Sequence, residues 1–242
     1  MIINELKKNI VQIFYTPDIV ANPVLSEEES GHCVRVLRLN EGDQILLTDG
    51  TGSFYKAAIT QAHPKHCGVE LLESWRQAPL WPFYVHIAVA PTKNMERMEW
   101  FVEKATEIGI DAISCLNCRF SERREIKSAR LEKILVSAMK QSQKATLPRL
   151  EGMVDFKEFV ARPFEGRKFI AHCEEEEKPL LRQLYHPGER ALVLIGPEGD
   201  FSPEEITLAK SKGFESISLG ESRLRTETAA LVACHTLHVL NQ

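Results

Sequence analysis

The sequence predicts an α/β protein in two parts: a small all-β region over residues 1–75, then a mostly parallel sheet flanked by helices over residues 80–242. Three observations carry this. Short strand-like segments, separated by Gly and Asp turns, fill the first part. Gln77, Pro79 and Pro82 then interrupt the pattern, as domain boundaries do. Beyond them, short apolar runs alternate with stretches of helical period, the pattern of strands covered on both faces.

In the first part, Val11–Tyr15, His32–Leu39, Gln44–Thr48, Ser53–Thr60 and Cys67–Leu72 are the expected strands, with turns at Glu41-Gly42-Asp43 and Asp49-Gly50-Thr51-Gly52. A small barrel is their natural closure. Gly50-Thr51-Gly52 leads into strand-like Phe54–Ile59 rather than a helix, so it reads as a hairpin and not as a dinucleotide loop. Arg35 and Arg38 are candidates for an RNA-facing surface, although single exposed arginines are commonplace.

In the second part, Phe83–Ala90 reads as a strand. Met98, Phe101, Val102, Ala105 and Ile108 recur at helical spacing until Gly109 stops the helix. Asp111–Leu116 is the next strand. Ser128 is placed to cap a helix with inner face Leu131, Ile134, Leu135, Ala138 and Ser142, and Pro148 marks its end. Lys168–Cys173 is a third strand, Leu180–Tyr185 a short helix, Ala191–Ile195 a fourth strand and Ser216–Leu219 a fifth. Between the last two, Ser202-Pro203-Glu204-Glu205 starts a helix with a hydroxyl cap, a proline at the first position and a reciprocal glutamate, and Gly213 ends it. The last helix spans Thr226–Leu240. Its first half is apolar nearly all round, which calls for burial within the domain or against a second subunit. Glu174–Glu177 reads as a solvated loop.

With 242 residues, 43% of them hydrophobic, the chain can build a sizeable core. No apolar run is long enough to span a bilayer, and the opening MIINELKKNIVQIFY lacks the apolar core and cleavage site of a signal peptide. The expectation is a cytoplasmic protein with no membrane partner. Cys33, Cys67, Cys115, Cys118, Cys173 and Cys234 lie mostly on apolar segments and are expected as free thiols. The net charge of -4 hides a basic stretch: between Asn117 and Arg149 nine basic residues, Arg123 and Arg124 among them, face only three acids. Two readings stand for it, a polyanion contact and a solvated helix face.

The chemistry narrows by exclusion. Cys115 and Cys118 have ligand spacing but no second pair, so no metal is expected. Walker, Gly-x-Ser-x-Gly and His-Glu-x-x-His motifs are missing, and Ala90-Pro91-Thr92-Lys93 is not the glycine turn a dehydrogenase needs after its first strand. What remains is a pair of glycine turns, after Ala191–Ile195 and after Ser216–Leu219. Placed at the ends of adjacent strands they would clasp a nucleoside-like ligand, with Leu219 and Leu224 as apolar walls. The alternatives are an ordinary strand-to-helix turn for the first and a salt-bridged helix start for the second, with Glu227 near the dipole and Arg225 its partner.

GPEGDFSPEE at 196–205 and LGESRLRTETA at 219–229 resemble the two signature loops of the SPOUT methyltransferases, specifically the RsmE family. HCVRVLRLNEGD at 32–43 resembles that family's PUA-like barrel, KNMERMEWFVEKATEIG at 93–109 its first catalytic-domain helix, and QSQKATLPRL at 141–150 another recurrent segment. The resemblance implies S-adenosylmethionine-dependent methylation of N3 of a uridine in small-subunit (16S) ribosomal RNA by a homodimer. It also implies a trefoil knot, which general topology rules argue against and periodicity cannot show. The implied cofactor-binding residues are Leu194, Ile195, Gly196, Glu198, Gly199, Leu219, Gly220, Leu224, Arg225 and Thr228. Arg225 is the candidate for stabilising charge on the uracil and Glu198 for proton acceptance or cofactor positioning, with Glu227 in reserve. Asp200 stands where the family usually has glycine, Ser222 where it has arginine, Arg223 where it has isoleucine, and Gln12 where it has arginine. These departures keep a second reading open, a catalytically silent RNA-binding protein that retains the fold.

Overall fold

The computed structural model describes residues 12–174 and 177–242. Residues 1–11, which hold most of the stretch read for a signal peptide and Val11 of the first expected strand, and positions 175 and 176 of the acidic run lie outside the described residues. The chain divides into two compact units. One holds the described residues up to Leu80 with Met139–Leu147, the other Trp81–Ala138 with Pro148–Gln242.

The first unit contains β1 (Ile13–Tyr15), α1 (Glu27–Gly31), β2 (Gln44–Thr48), β3 (Ser53–Gln61) and β4 (Gly68–Arg76). The sheet runs β1-β2-β3-β4, with β1 parallel to β2 and the other pairs antiparallel. Thr48 faces Phe54 across the glycine turn, so the hairpin forms as expected. On the outer edge of β4, Gly68 bridges to Val24 and Val69 N donates to Pro23 O at 3.0 Å. Phe14, Leu47, Ala57, Ile59 and Val69 fill the interior. Met139–Leu147 joins this unit through polar bonds: Lys140 Nζ lies 2.6 Å from Glu29 Oε1, and Thr48 Oγ1 donates to Ala145 O at 3.1 Å.

One expected strand is wrong. His32–Leu39 is not extended: Ser26 Oγ accepts from Glu29 N at 3.2 Å and starts α1, which runs directly into a π-helical turn over His32–Val36. Of the two valines in this segment, Val36 is 65% exposed and Val34 only partly buried against the core, while Cys33 is fully buried. A local cap and one anchoring side chain override strand propensity here.

The second unit contains, in chain order, β5 (Tyr84–Val89), α2 (Met95–Ile108), β6 (Ala112–Asn117), α3 (Ser128–Gln141, whose last residues pass into the first unit), β7 (Arg149–Asp155), α4 (Phe156–Val160), β8 (Arg167–Ala171), α5 (Leu181–Leu184), β9 (Arg190–Ile195), α6 (Pro203–Ser211), β10 (Glu215–Ile217) and α7 (Thr226–Leu240). Its sheet has the order β10-β8-β9-β5-β6-β7, and every pairing is parallel. Ala88, Leu192, Leu194 and Ile170 join the cluster containing Phe156, Phe159 and Ile206 from α4 and α6. The alternate residues Ile87, Val89, Val193 and Ile195 face the other way, where α7 packs on β5 and β9 and α2 packs on α7. The interior strands are therefore apolar on both faces.

Helix limits follow local chemistry. Asn94 Oδ1 accepts from Glu96 N at 3.0 Å to start α2, and Gly109, at φ 132°, ends it where a Cβ would meet His238 and Trp81 at 2.7 Å. β7 and α4 have no counterpart among the expected elements. β7 is an edge strand with polar residues and Gly152 in its middle, so it lacks the apolar run that marks a buried parallel strand.

Candidate functional site

The two glycine loops meet at the carboxyl ends of the strands, but their strands are not neighbours: β8 lies between β9 and β10. Consecutive parallel strands need a crossover, and here it spans one strand. Consequently the end of β8 contributes Ala171, His172 and Cys173 to the space between the loops. The resulting cleft has a volume of ≈ 970 Å³.

Each loop is held by specific bonds. After β9, Asp200 N donates to Pro197 O at 2.9 Å to close a turn, and the capping box of α6 forms as expected, with Ser202 N donating to Glu205 Oε2 at 2.9 Å and Glu205 N to Ser202 Oγ at 3.3 Å. After β10, Ser218 Oγ accepts from Gly220 N at 3.2 Å, and Gly220 adopts a φ of 125° that favours glycine. The two loops are joined by Thr226 Oγ1, which donates to Gly196 O at 3.1 Å in the interior.

Asp200 has a clear task. Its φ is 64°, the left-handed region, which accounts for the usual glycine. Its Oδ2 accepts from Cys173 N at 2.7 Å, tying the first loop to the end of β8. The start of α6 is served instead by Ser202 and Glu205.

Ile195, Gly196, Glu198, Gly199, Leu219, Gly220, Leu224 and Arg225 all line the cleft. Leu194 does not: its side chain lies in the sheet core. Thr228 also lies off the cleft, one residue before Ala229, which lines it. Arg225 is exposed at the N-cap of α7. Glu198 does not extend freely into the space, because its Oε1 accepts from Lys93 N at 2.9 Å. Glu227 is buried on the cleft wall, 3.8 Å from Arg97 Nε. Arg97, His172, Cys173 and Lys178 line the cleft without having been expected there. The signal for Arg97 was its place on the first helical turn after a strand end, where such folds put ligands. Burial, followed by the charge of Asp200, pushes the Cys173 thiol up, so it stays protonated.

The basic stretch is largely committed to internal contacts. Arg123 Nε donates to Thr92 O at 3.1 Å and its Nη2 to Lys93 O at 2.6 Å. Arg130 pairs with Glu99 at 2.6 Å, and Lys144 is buried. Arg124 makes longer bonds to Asn117 Oδ1 and Arg119 O, both 3.4 Å, and remains exposed. In the first unit Arg35, on the π-helical turn, and Arg38, at φ 58°, are both exposed. Cys115 and Cys118 are buried free thiols, and burial pushes Cys115 up to about 12. Among the described residues no group of three or more His, Cys, Asp or Glu is placed to hold a metal.

Residues 79–238 match the RNA methyltransferase domain family and residues 25–72 the RNA methyltransferase PUA domain. The ribosomal RNA small subunit methyltransferase E of Rickettsia conorii is 30% identical over 219 residues, 89% of each chain. A probable rRNA-methyltransferase from Porphyromonas gingivalis superposes with a TM-score of 0.91 at 45% identity, over 96% of this chain and 98% of that one. A ribosomal RNA small subunit methyltransferase E from Neisseria gonorrhoeae, bound to S-adenosyl methionine, does so with a TM-score of 0.83 at 27% identity, over 95% and 98%. With both units matched and the two loops forming one cleft, the chain belongs to the ribosomal RNA small subunit methyltransferase E (RsmE) family.

Proposed function

We propose that this chain transfers a methyl group from S-adenosylmethionine to N3 of a uridine in 16S ribosomal RNA of the small subunit, acting in the cytoplasm as a homodimer. The observation that carries the reading is the joining of the two glycine loops over one cleft by Thr226 and Gly196. The residues fit the cofactor: the cleft is of ligand size, Gly220 leaves open space where a side chain would stand, and Leu219 and Leu224 provide apolar walls. When bound, S-adenosylmethionine supplies a methyl group on a positively charged sulfur. Ile195, Gly196, Gly199, Leu219, Gly220 and Leu224 would hold it.

The chain's own groups then have distinct tasks. Arg225 stabilises the negative charge that develops on the uracil as N3 loses its proton. Glu227, buried on the cleft wall with Arg97 at 3.8 Å, is the carboxylate that accepts that proton. Glu198 keeps the first loop in place through Lys93 N. Holding N3 in line with the methyl supplies much of the rate. Arg35, Arg38 and Arg124 are the exposed cations offered to RNA phosphates. Val239, 50% exposed on α7 beside the partly covered Leu231 and Val232, is apolar surface suited to a second copy.

Mass spectrometry of 16S ribosomal RNA from a deletion strain tests the whole reading. Loss of a single methyluridine, restored by the purified chain with S-adenosylmethionine, is the expected result. An unchanged modification profile would overturn it and leave the silent RNA-binding alternative, which calorimetry with S-adenosylmethionine separates.

A further inference from the structure

The segment after β6, Cys118–Arg123, is linked to the first cofactor loop and the helix it starts at three points. Arg119 N donates to Glu205 Oε1 at 2.9 Å, at the start of α6. A Cβ on Gly199 would stand 3.1 Å from Phe120 Cβ, so the backbone there lies directly against the phenylalanine. The third contact is indirect: Arg123 donates to both Thr92 O and Lys93 O, and Lys93 N in turn donates to Glu198 Oε1.

We infer that Arg123 is a positioning residue for the methyl-transfer site, acting through Lys93 on Glu198, rather than a contact to RNA phosphate. A guanidinium fork on two consecutive carbonyls fixes the peptide plane between Thr92 and Lys93 and orders the segment that presents Lys93 N. That short segment serves both sides of the cleft. Thr92 Oγ1 donates to Asn94 O at 2.7 Å, Asn94 caps α2, and the first turn of α2 carries Arg97 to Glu227. Releasing the fork therefore loosens Glu198 on one side and the Arg97–Glu227 pair on the other. Lys93 Nζ also pairs with Glu122, the residue before Arg123, at 2.8 Å, a second link between the same two segments.

This inference rests on the proposed function, and the experiment distinguishes the two. Binding of S-adenosylmethionine is measured by calorimetry on the full chain, on Arg123→Ala and on Arg123→Lys, together with the affinity for a 16S fragment across a salt series. The unaltered chain failing to bind S-adenosylmethionine would overturn the functional reading itself. If it binds, Arg123→Ala is expected to weaken the cofactor by about tenfold, as the loss of a charged hydrogen-bonding group implies, with Arg123→Lys recovering part of the loss. The salt dependence of RNA binding should be unchanged. The opposite pattern, unaltered cofactor affinity with a salt slope reduced by about one, is that of a phosphate contact and sinks the inference. Protection of the Lys93 amide from hydrogen exchange supplies a readout that global folding does not mimic: it should fall in Arg123→Ala while the β5 amides keep theirs. Equal protection in both chains would also overturn the assignment.

Discussion

Thr226 donates its hydroxyl hydrogen to the carbonyl of Gly196 across 30 positions of sequence, at 3.1 Å and away from solvent. One side chain thus fixes the start of α7 against the loop after β9. Replacing Thr226 with valine keeps the volume and removes the donor, leaving a buried carbonyl short of a partner at a cost of about 1–3 kcal/mol. Thr226→Val should lower the unfolding midpoint and weaken S-adenosylmethionine binding, whereas Thr226→Ser should preserve both. Wild-type cofactor affinity in Thr226→Val, read by calorimetry, would show that the two loops hold their places independently.

Asp200 combines a left-handed backbone with two accepted hydrogen bonds, from Cys173 N at 2.7 Å and Phe201 N at 2.8 Å. Asp200→Gly and Asp200→Ala both lose the carboxylate, but only alanine keeps the backbone cost, about 1–2 kcal/mol for an ordinary side chain in this region. The glycine variant should therefore unfold at higher urea than the alanine variant. Identical midpoints would mean that the loop relaxes out of the left-handed conformation.

The legible parts of this molecule are those whose cause is local. Ser202, Pro203 and Glu205 announce α6 because the capping box is made within one turn, and Gly109 announces the end of α2 for the same reason. His32–Val36 misled because its valines favour strands, while the deciding contacts are the Ser26 cap and the burial of Cys33. β7 was hidden because an edge strand needs no continuous apolar run. In the site, the glycine loops stand out in the sequence. The bond from Lys93 to Glu198, 105 positions apart, does not, because only the parallel crossover brings them together. The same holds for β8 between the two loop-bearing strands.

A histidine beneath the sheet surface gives the fold an acid limit. His86 Nε2 lies 2.9 Å from Ser114 Oγ, which donates to Glu151 Oε2 at 2.9 Å, and the ring packs edge-on against Phe159. Burial pushes the imidazole down to about 4, with Arg149 adding to the shift and Glu151 opposing it. The unfolded chain takes up this proton near pH 6.5. The folded state therefore keeps its full stability above that pH and loses up to about 3 kcal/mol as the pH falls from 6.5 to about 4. His86→Gln keeps a hydrogen-bonding side chain without a titrating group, so urea midpoints across this window should fall less steeply than in the parent chain. Parallel curves would assign the acid sensitivity elsewhere.

Three residues on the cleft separate charge stabilisation, proton acceptance and loop support. Glu198 is engaged by Lys93 N, and a glutamine there retains a carbonyl oxygen able to accept the same bond, so Glu198→Gln should keep turnover within a few fold. Glu227 is buried on the cleft wall, 3.8 Å from Arg97 Nε, and is the carboxylate proposed to take the proton from a bound uracil. Glu227→Gln should then lower kcat by about 10²-fold or more while leaving S-adenosylmethionine affinity intact, the signature of a lost general base. Arg225→Ala should lower kcat by a similar factor, about 10², through the loss of charge stabilisation. If Glu198→Gln lowers kcat by about 10² and Glu227→Gln does not, the proton goes to Glu198, and Glu227 serves only to hold Arg97 and the start of α7.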